Sequence, residues 1–261
     1  MPTTSTGGVS LHYREAGSGA PVVFVNEAGL GGWSWGWQHG AVTGPFRSVV
    51  WDLRGTGRSD RPAGPYDLTT LASDLEAILT AVDARNAHVV GAGLGGAIAL
   101  QAARKSTRIA SLTLFGTGAH EGDFDLDPLF APPSDPEAVR ASLETVLTKE
   151  FQSAQPDVVN GLVEWRCDGD ATRDGFDAQT AALEGYDATD WGHEVTVPTL
   201  VCHGAADALV PPESGRTLAN DLPRGEFREV DGGGHLVQVE RSRTVNDHLL
   251  GVLEARTDDT D

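Results

Sequence analysis

Residues 89–96 read Val89-Val90-Gly91-Ala92-Gly93-Leu94-Gly95-Gly96, and the reading of this stretch decides the fold. An apolar run passes straight into a small-residue run through Gly91, Gly93, Gly95 and Gly96. A strand that enters a helix through so tight a turn needs small neighbours, because the backbone is strained and the helix packs close. Such a turn ordinarily raises a reactive side chain at the helix N-terminus. Here the residue at its centre is Gly93, which has no side chain to raise.

The flanking sequence supplies the rest of the sheet. Val9–Glu15 alternates like a strand, Ala87–Val90, Ile109–Phe115, Thr199–Cys202 and Glu226–Val230 read as strands, and Val22–Val25 and Ser48–Trp51 are short apolar runs. Runs of that kind belong to strands buried on both faces. Between them lie helical patterns. Asp67 caps a helix on which Leu68, Leu71, Leu75, Ile78, Leu79 and Val82 recur at helical spacing. Gly95–Lys105, Pro212–Leu222 and Val237–Glu254 are further helices. Strand–helix alternation predicts a mostly parallel, twisted α/β sheet with helices on both faces.

One section breaks the rhythm. From Gly118 the chain turns rich in Gly, Asp and Pro, then carries helical stretches around Glu137–Phe151 and Val158–Trp165 before Val197-Pro198 re-enters the sheet. Residues 118–194 are predicted to be a helical cap inserted into a core made of 1–117 and 195–256, with 257–261 an acidic tail.

Composition limits the partners. The chain of 261 residues is 39% hydrophobic and 22% charged, so disorder is excluded. Its net charge of −19 opposes nucleic acid and anionic membrane surfaces. Cys167 and Cys202 form neither a disulfide framework nor a metal cluster. No apolar stretch approaches the ~20 residues of a membrane span, and the first residues show no export signal. The expectation is a cytoplasmic protein, monomeric or homodimeric, acting on a small molecule without metal or cofactor. Gly91-x-Gly93-x-x-Gly96 fits a dinucleotide fingerprint as letters, but it lies too far along the chain for an N-terminal dinucleotide unit.

Four motifs in order resemble the α/β-hydrolase superfamily. The turn at Gly91–Gly95 is similar to the family's Gly-x-nucleophile-x-Gly. Asp52-Leu53-Arg54-Gly55-Thr56-Gly57-Arg58-Ser59 resembles its structural loop after the fourth strand. His203 to Pro211 resembles the loop that carries the acid, here Asp207, and Gly232-Gly233-Gly234-His235 the loop that carries the base. The order 93, 207, 235 is the nucleophile–acid–base order of that fold.

Two departures occur together. Gly93 stands where the resemblance implies Ser, and Asn26-Glu27-Ala28-Gly29 stands where the family has His-Gly leading into its oxyanion loop. A missing Ser alone would fit an inactivated esterase; the paired change points to natural divergence. His235 supported by Asp207 remains a candidate general base, and Glu27 a candidate acid if a dry pocket raises its pKa. The backbone N–H groups of Leu94 and of Ala28 or Glu27 are candidate oxyanion donors. Asn26, Trp33, Trp35, His120 and Trp165 are candidate pocket residues, the indoles suiting a large, flat, apolar ligand.

Removing a Ser nucleophile costs on the order of 10⁶ in kcat, so ordinary acyl-enzyme chemistry is disfavoured. The leading expectation is cofactor-free cyclisation, rearrangement, C–C or ring cleavage, or oxygenation. His235 would deprotonate an aromatic or polyketide-like substrate of secondary metabolism. The superfamily's cofactor-independent dioxygenases imply a precedent for such base-only chemistry. The alternatives are hydrolysis by a water that His235 activates while Glu27 protonates the leaving group, and a catalytically silent ligand-binding protein.

Overall fold

Eight strands form one sheet in the computed structural model, which describes residues 2–257. They are β1 (Thr3–Thr6), β2 (Val9–Ala16), β3 (Pro21–Val25), β4 (Arg47–Trp51), β5 (Ala87–Ala92), β6 (Ile109–Phe115), β7 (Thr199–Gly204) and β8 (Gly225–Val230). Their order is β1-β2-β4-β3-β5-β6-β7-β8. β1 and β2 pair antiparallel, as do β2 and β4; every later pairing is parallel. The seven strands read from the sequence are all present. β1 escaped that reading because TTST is a polar edge segment without an apolar face.

The helices are α1 (Gly36–Val42), α2 (Leu68–Ala81), α3 (Leu94–Ala103), α4 (Pro136–Val146), α5 (Lys149–Ala154), α6 (Pro156–Gly169), α7 (Arg173–Thr180), α8 (Pro212–Asp221), α9 (Val237–Glu240) and α10 (Ser242–Thr257). Asp67 caps α2 by accepting from the Thr70 N–H. The stretch expected as one helix over Glu137–Phe151 is two, because Thr148 takes extended backbone and caps α5. The helix expected over Val237–Glu254 breaks at Arg241, whose φ of −117° and ψ of 36° leave the helical region. The acidic tail lies outside the described residues from 258 onward.

The pleat sorts the core into two layers. On β3, Val23 and Val25 face a cluster that includes Leu71, Leu75, Ile78 and Leu79 of α2 and Leu94, Ala97 and Ile98 of α3. Val22 and Phe24 face the opposite cluster with Trp35, Phe115, Val245, Leu249 and Leu253. Burying each large apolar side chain contributes about 1.5–3 kcal/mol, so both layers hold the sheet rigid. The carboxyl ends of β3, β5, β7 and β8 then present Glu27, Gly93, Asp207 and His235 on adjacent loops. The 118–194 segment, with α4–α7, contacts those same loops. No helix among the described residues is long and apolar enough to cross a membrane.

Candidate active site

The turn from β5 into α3 sets the geometry. Gly93 has φ +48° and ψ −111°, a conformation that side chains rarely adopt, and it is the N-cap of α3. A Cβ built on Gly93 would collide with Oε2 of Glu27. The carboxylate of Glu27 therefore fills the space that a side chain at the turn would occupy.

Each oxygen of that carboxylate is engaged. Oε1 accepts from the Ala28 N–H at 2.6 Å and from the Leu94 N–H at 2.9 Å. Both candidate oxyanion donors thus point at one atom, and that atom lies at the N-terminus of α3, where a negative charge is favoured. Oε2 lies 3.1 Å from His235 Nε2. On the other side of the ring, His235 Nδ1 lies 3.1 and 3.0 Å from the two oxygens of Asp207. Asp207 in turn accepts from the Leu209 and Val210 N–H groups at 2.9 and 3.0 Å. The result is a continuous chain: Asp207, His235, Glu27, then two backbone N–H groups. Glu27, His235 and Asp207 are all buried.

The charges follow from the contacts. Burial works to lower the His235 pKa, but the charge and hydrogen bond of Asp207, joined by those of Glu27, outweigh it and push it up to about 10. Burial works to raise Asp207, yet the His235 charge and hydrogen bond hold it below the usual carboxylate range. The imidazole therefore favours its protonated form where it lies between Asp207 and Glu27. His203, fully buried 3.7 Å from Asp207 Oδ2, is pushed down to about 4 chiefly by burial and stays neutral.

These facts change two expectations. His235 is not a free base waiting for a substrate proton, since its Nε2 faces Glu27. Glu27, expected as a proton donor, accepts from two backbone N–H groups at Oε1 and turns Oε2 toward His235 Nε2 rather than toward an open pocket.

The expected pocket residues divide. Asn26 is buried, and its Nδ2 donates to the Trp51 carbonyl at 3.0 Å, tying β3 to β4. Trp35 is corrected: it packs between Phe24 and Phe115, at ring distances of 5.2 and 6.1 Å, on the sheet face covered by α10. His120 is also corrected. It is half exposed, 3.4 Å from Asp123 and 3.7 Å from Asp187, and so belongs to an acidic surface loop. Trp33 and Trp165 line an open groove of about 520 Å³ with Trp37 and Arg14, separate from the Glu27–His235 pair. Cys202 lies in the α10-side core, its thiol pushed up to about 12 by burial.

Several supporting residues carried no sequence signal. Arg166, fully buried on α6, binds Asp170 at 2.7 Å, Ser142 Oγ at 2.6 Å and the Leu129 carbonyl at 2.7 Å. Asp170 accepts from the Gly31 N–H at 3.1 Å and from Trp33 Nε1 at 2.7 Å. Glu240 accepts from the Gly234 N–H at 2.8 Å and from the backbone and hydroxyl of Thr148 at 3.0 and 2.6 Å. It clamps the His235 loop to the 118–194 segment. No group of three or more His, Cys, Asp or Glu able to hold a metal ion occurs among the described residues.

Comparison with known proteins places the fold. The profile of the alpha/beta hydrolase family matches residues 22–248. A putative carbamate hydrolase, RutD of Azorhizobium caulinodans, is 30% identical over 96% of this chain and 97% of its own. The non-heme chloroperoxidase CPO-A1 of Kitasatospora aureofaciens is 28% identical over 90% of this chain and 92% of its own. A hydrolase from Pseudomonas aeruginosa PA01 superimposes with a TM-score of 0.84 at 28% identity, covering 97% of both chains. An enol-lactonase from Burkholderia xenovorans LB400 superimposes with a TM-score of 0.87 at 24% identity, over 97% of this chain and 100% of that one, a likeness of fold.

Proposed function

This chain belongs to the alpha/beta hydrolase family, and within it we propose a small-molecule hydrolase whose reacting group is the Glu27 carboxylate rather than a side chain at the turn. One observation carries the reading. A Cβ at Gly93 would collide with Glu27 Oε2, while Oε1 accepts from the Ala28 and Leu94 N–H groups and Oε2 faces His235 Nε2.

The reaction runs in two steps. Oε2 attacks an electrophilic carbon of the substrate and forms a glutamyl ester, while the His235 imidazolium protonates the departing group. Esterification removes the Glu27 charge that helps to hold the proton on His235, so the now neutral imidazole is fit to act as a base. It takes a proton from water, and the hydroxide adds to Cδ of Glu27. Negative charge then develops on Oε1, which the Ala28 and Leu94 N–H groups already hold. Collapse releases the alcohol, protonated by His235. The remaining Glu27 proton passes to His235 and restores the starting ion pair. The net change is hydrolysis, with no redox step.

The same arrangement favours a saturated carbon bearing a leaving group. A carbonyl substrate would need oxyanion donors in the first step, when Glu27 Oε1 occupies them. A displacement at saturated carbon needs them only in the second.

A second reading has one observation in its favour, the 30% identical carbamate hydrolase. In it Glu27 swings off the donors and acts as a general base toward a water that attacks an acyl group. Intact-protein mass spectrometry separates the two. The protein and Glu27→Gln are incubated with alkyl halides, epoxides and activated esters. A mass increment mapped to Glu27 in the parent and absent from Glu27→Gln supports the covalent route. Turnover with no adduct in rapid-quench samples supports the general-base route.

A further inference from the structure

We infer that Gln179, on α7 of the 118–194 segment, is a positioning residue that aims the Ala28 N–H and through it the Glu27 carboxylate. The inference rests on Glu27 being the reacting group, but its test does not.

Gln179 is fully buried and its amide is fully used. Oε1 accepts from the Gly29 N–H at 2.7 Å, and Nε2 donates to the Arg54 carbonyl and to Thr56 Oγ1, both at 2.7 Å. One side chain therefore joins three segments that are distant in sequence: the loop after β3, the loop after β4, and α7. An amide held at both ends has a fixed orientation, so the acceptor it offers Gly29 is fixed too.

Gly29 is the residue next to Ala28, and its whole backbone is held from the same segment. Its carbonyl accepts from the Ala171 N–H at 2.8 Å. Its φ is +74°, and a Cβ there would strike the Phe176 ring, one helical turn before Gln179. Only glycine permits both that conformation and that approach. Fixing the Gly29 N–H fixes the peptide plane between Ala28 and Gly29. The Ala28 N–H is one residue upstream, and it makes the 2.6 Å contact to Glu27 Oε1. If that donor turns away, Glu27 loses one of the two contacts that hold Oε1, and Oε2 is no longer held against His235. α7 is thus part of the catalytic assembly without touching the reacting atoms.

The test uses the full chain and needs no substrate. Gln179→Met keeps the length and removes the polar atoms. Leu143→Ala, at a buried α4 position, serves as a control for general loss of stability. Two NMR signals are read in each: the Ala28 amide proton, and the His235 ring as a function of pH. Gln179→Met is expected to move the Ala28 proton upfield and to lower the His235 pKa from about 10 by about one unit, as Glu27 drifts from it. Leu143→Ala is expected to move neither. Unchanged signals in Gln179→Met, or equal movement in the control, would overturn the inference. The rate of Glu27 labelling by an electrophile is expected to fall at least tenfold in Gln179→Met. An absence of labelling in the parent protein would count against the covalent route alone, and the NMR result would still decide the role of Gln179.

Discussion

Placing a serine at the turn by Gly93→Ser is expected to destabilise the chain, by an amount that follows from the contacts it breaks. The new Cβ would collide with Glu27 Oε2 and Cδ, so the carboxylate must leave. It would abandon three contacts, to the Ala28 and Leu94 N–H groups and to His235. Hydrogen bonds to a charged group contribute about 1.5–3 kcal/mol each. A non-glycine residue at φ +48° adds about 1–3 kcal/mol of backbone strain. The total is about 6–12 kcal/mol, comparable with the whole stability of a typical domain, about 5–15 kcal/mol. Gly93→Ser should therefore unfold at far lower denaturant than the parent and hydrolyse no aryl ester. The pair Glu27→Gly with Gly93→Ser removes the collision and leaves only the strain and a small void. It frees both oxyanion donors and Nε2 of His235 for a serine hydroxyl. The double variant should recover most of the lost stability and hydrolyse activated aryl esters at least about 10²-fold faster than the single variant, the scale of an oxyanion contribution. Urea unfolding and a p-nitrophenyl ester assay with acyl-enzyme trapping read both effects. A Gly93→Ser protein as stable as the parent, or a double variant that forms no acyl-enzyme, would refute the placement of Glu27.

The remaining expectations concern charge. His235 has a folded pKa of about 10, raised from 6.5, so the folded protein holds a proton that the unfolded chain releases between those values. Its contribution is complete below about pH 6.5 and is lost as pH rises through about 10, at up to about 1.4 kcal/mol per pH unit; urea midpoints across pH 6–10.5 should fall accordingly. Arg166→Met leaves Asp170 buried without its cation and should cost about 3–5 kcal/mol, while Arg166→Met with Asp170→Asn should recover most of it in the same unfolding assay. Cys202, with its thiol pushed up to about 12, should resist alkylation at pH 8 in the folded state while Cys167 reacts first, as peptide mapping would report.

Some parts of this account are legible in the sequence because their causes are local. Val22–Val25 and Ile109–Phe115 are apolar runs whose composition demands burial on both faces, and Asp67 announces its helix through a cap. Asp207 and His235 sit in short loops that resemble the family's acid and base loops, so the resemblance implied the pairing found at 3.0 Å. Glu27 drew attention because a carboxylate is out of place after a central strand, but its role was not readable. That role depends on the missing Cβ of Gly93, 66 positions away, and on where two N–H groups point. Trp35 shows the opposite failure. Its neighbours Trp33 and Trp37 line a groove, yet Trp35 turns to the other face of the sheet, because the short helical turn at Gly32–Trp35 rotates successive side chains apart. Gln179 lies in a polar helix whose pattern, RDGFDAQT, gives no sign of burial. Its partners at Gly29, Arg54 and Thr56 are brought to it only by the tertiary fold.

The most direct measurement is a single turnover in H₂¹⁸O with enzyme in excess over a substrate that labels Glu27, followed by peptide mass analysis. The account predicts one ¹⁸O in the Glu27 carboxylate and an unlabelled oxygen, donated by Glu27, in the alcohol product. Label in the product with none in Glu27 would contradict it.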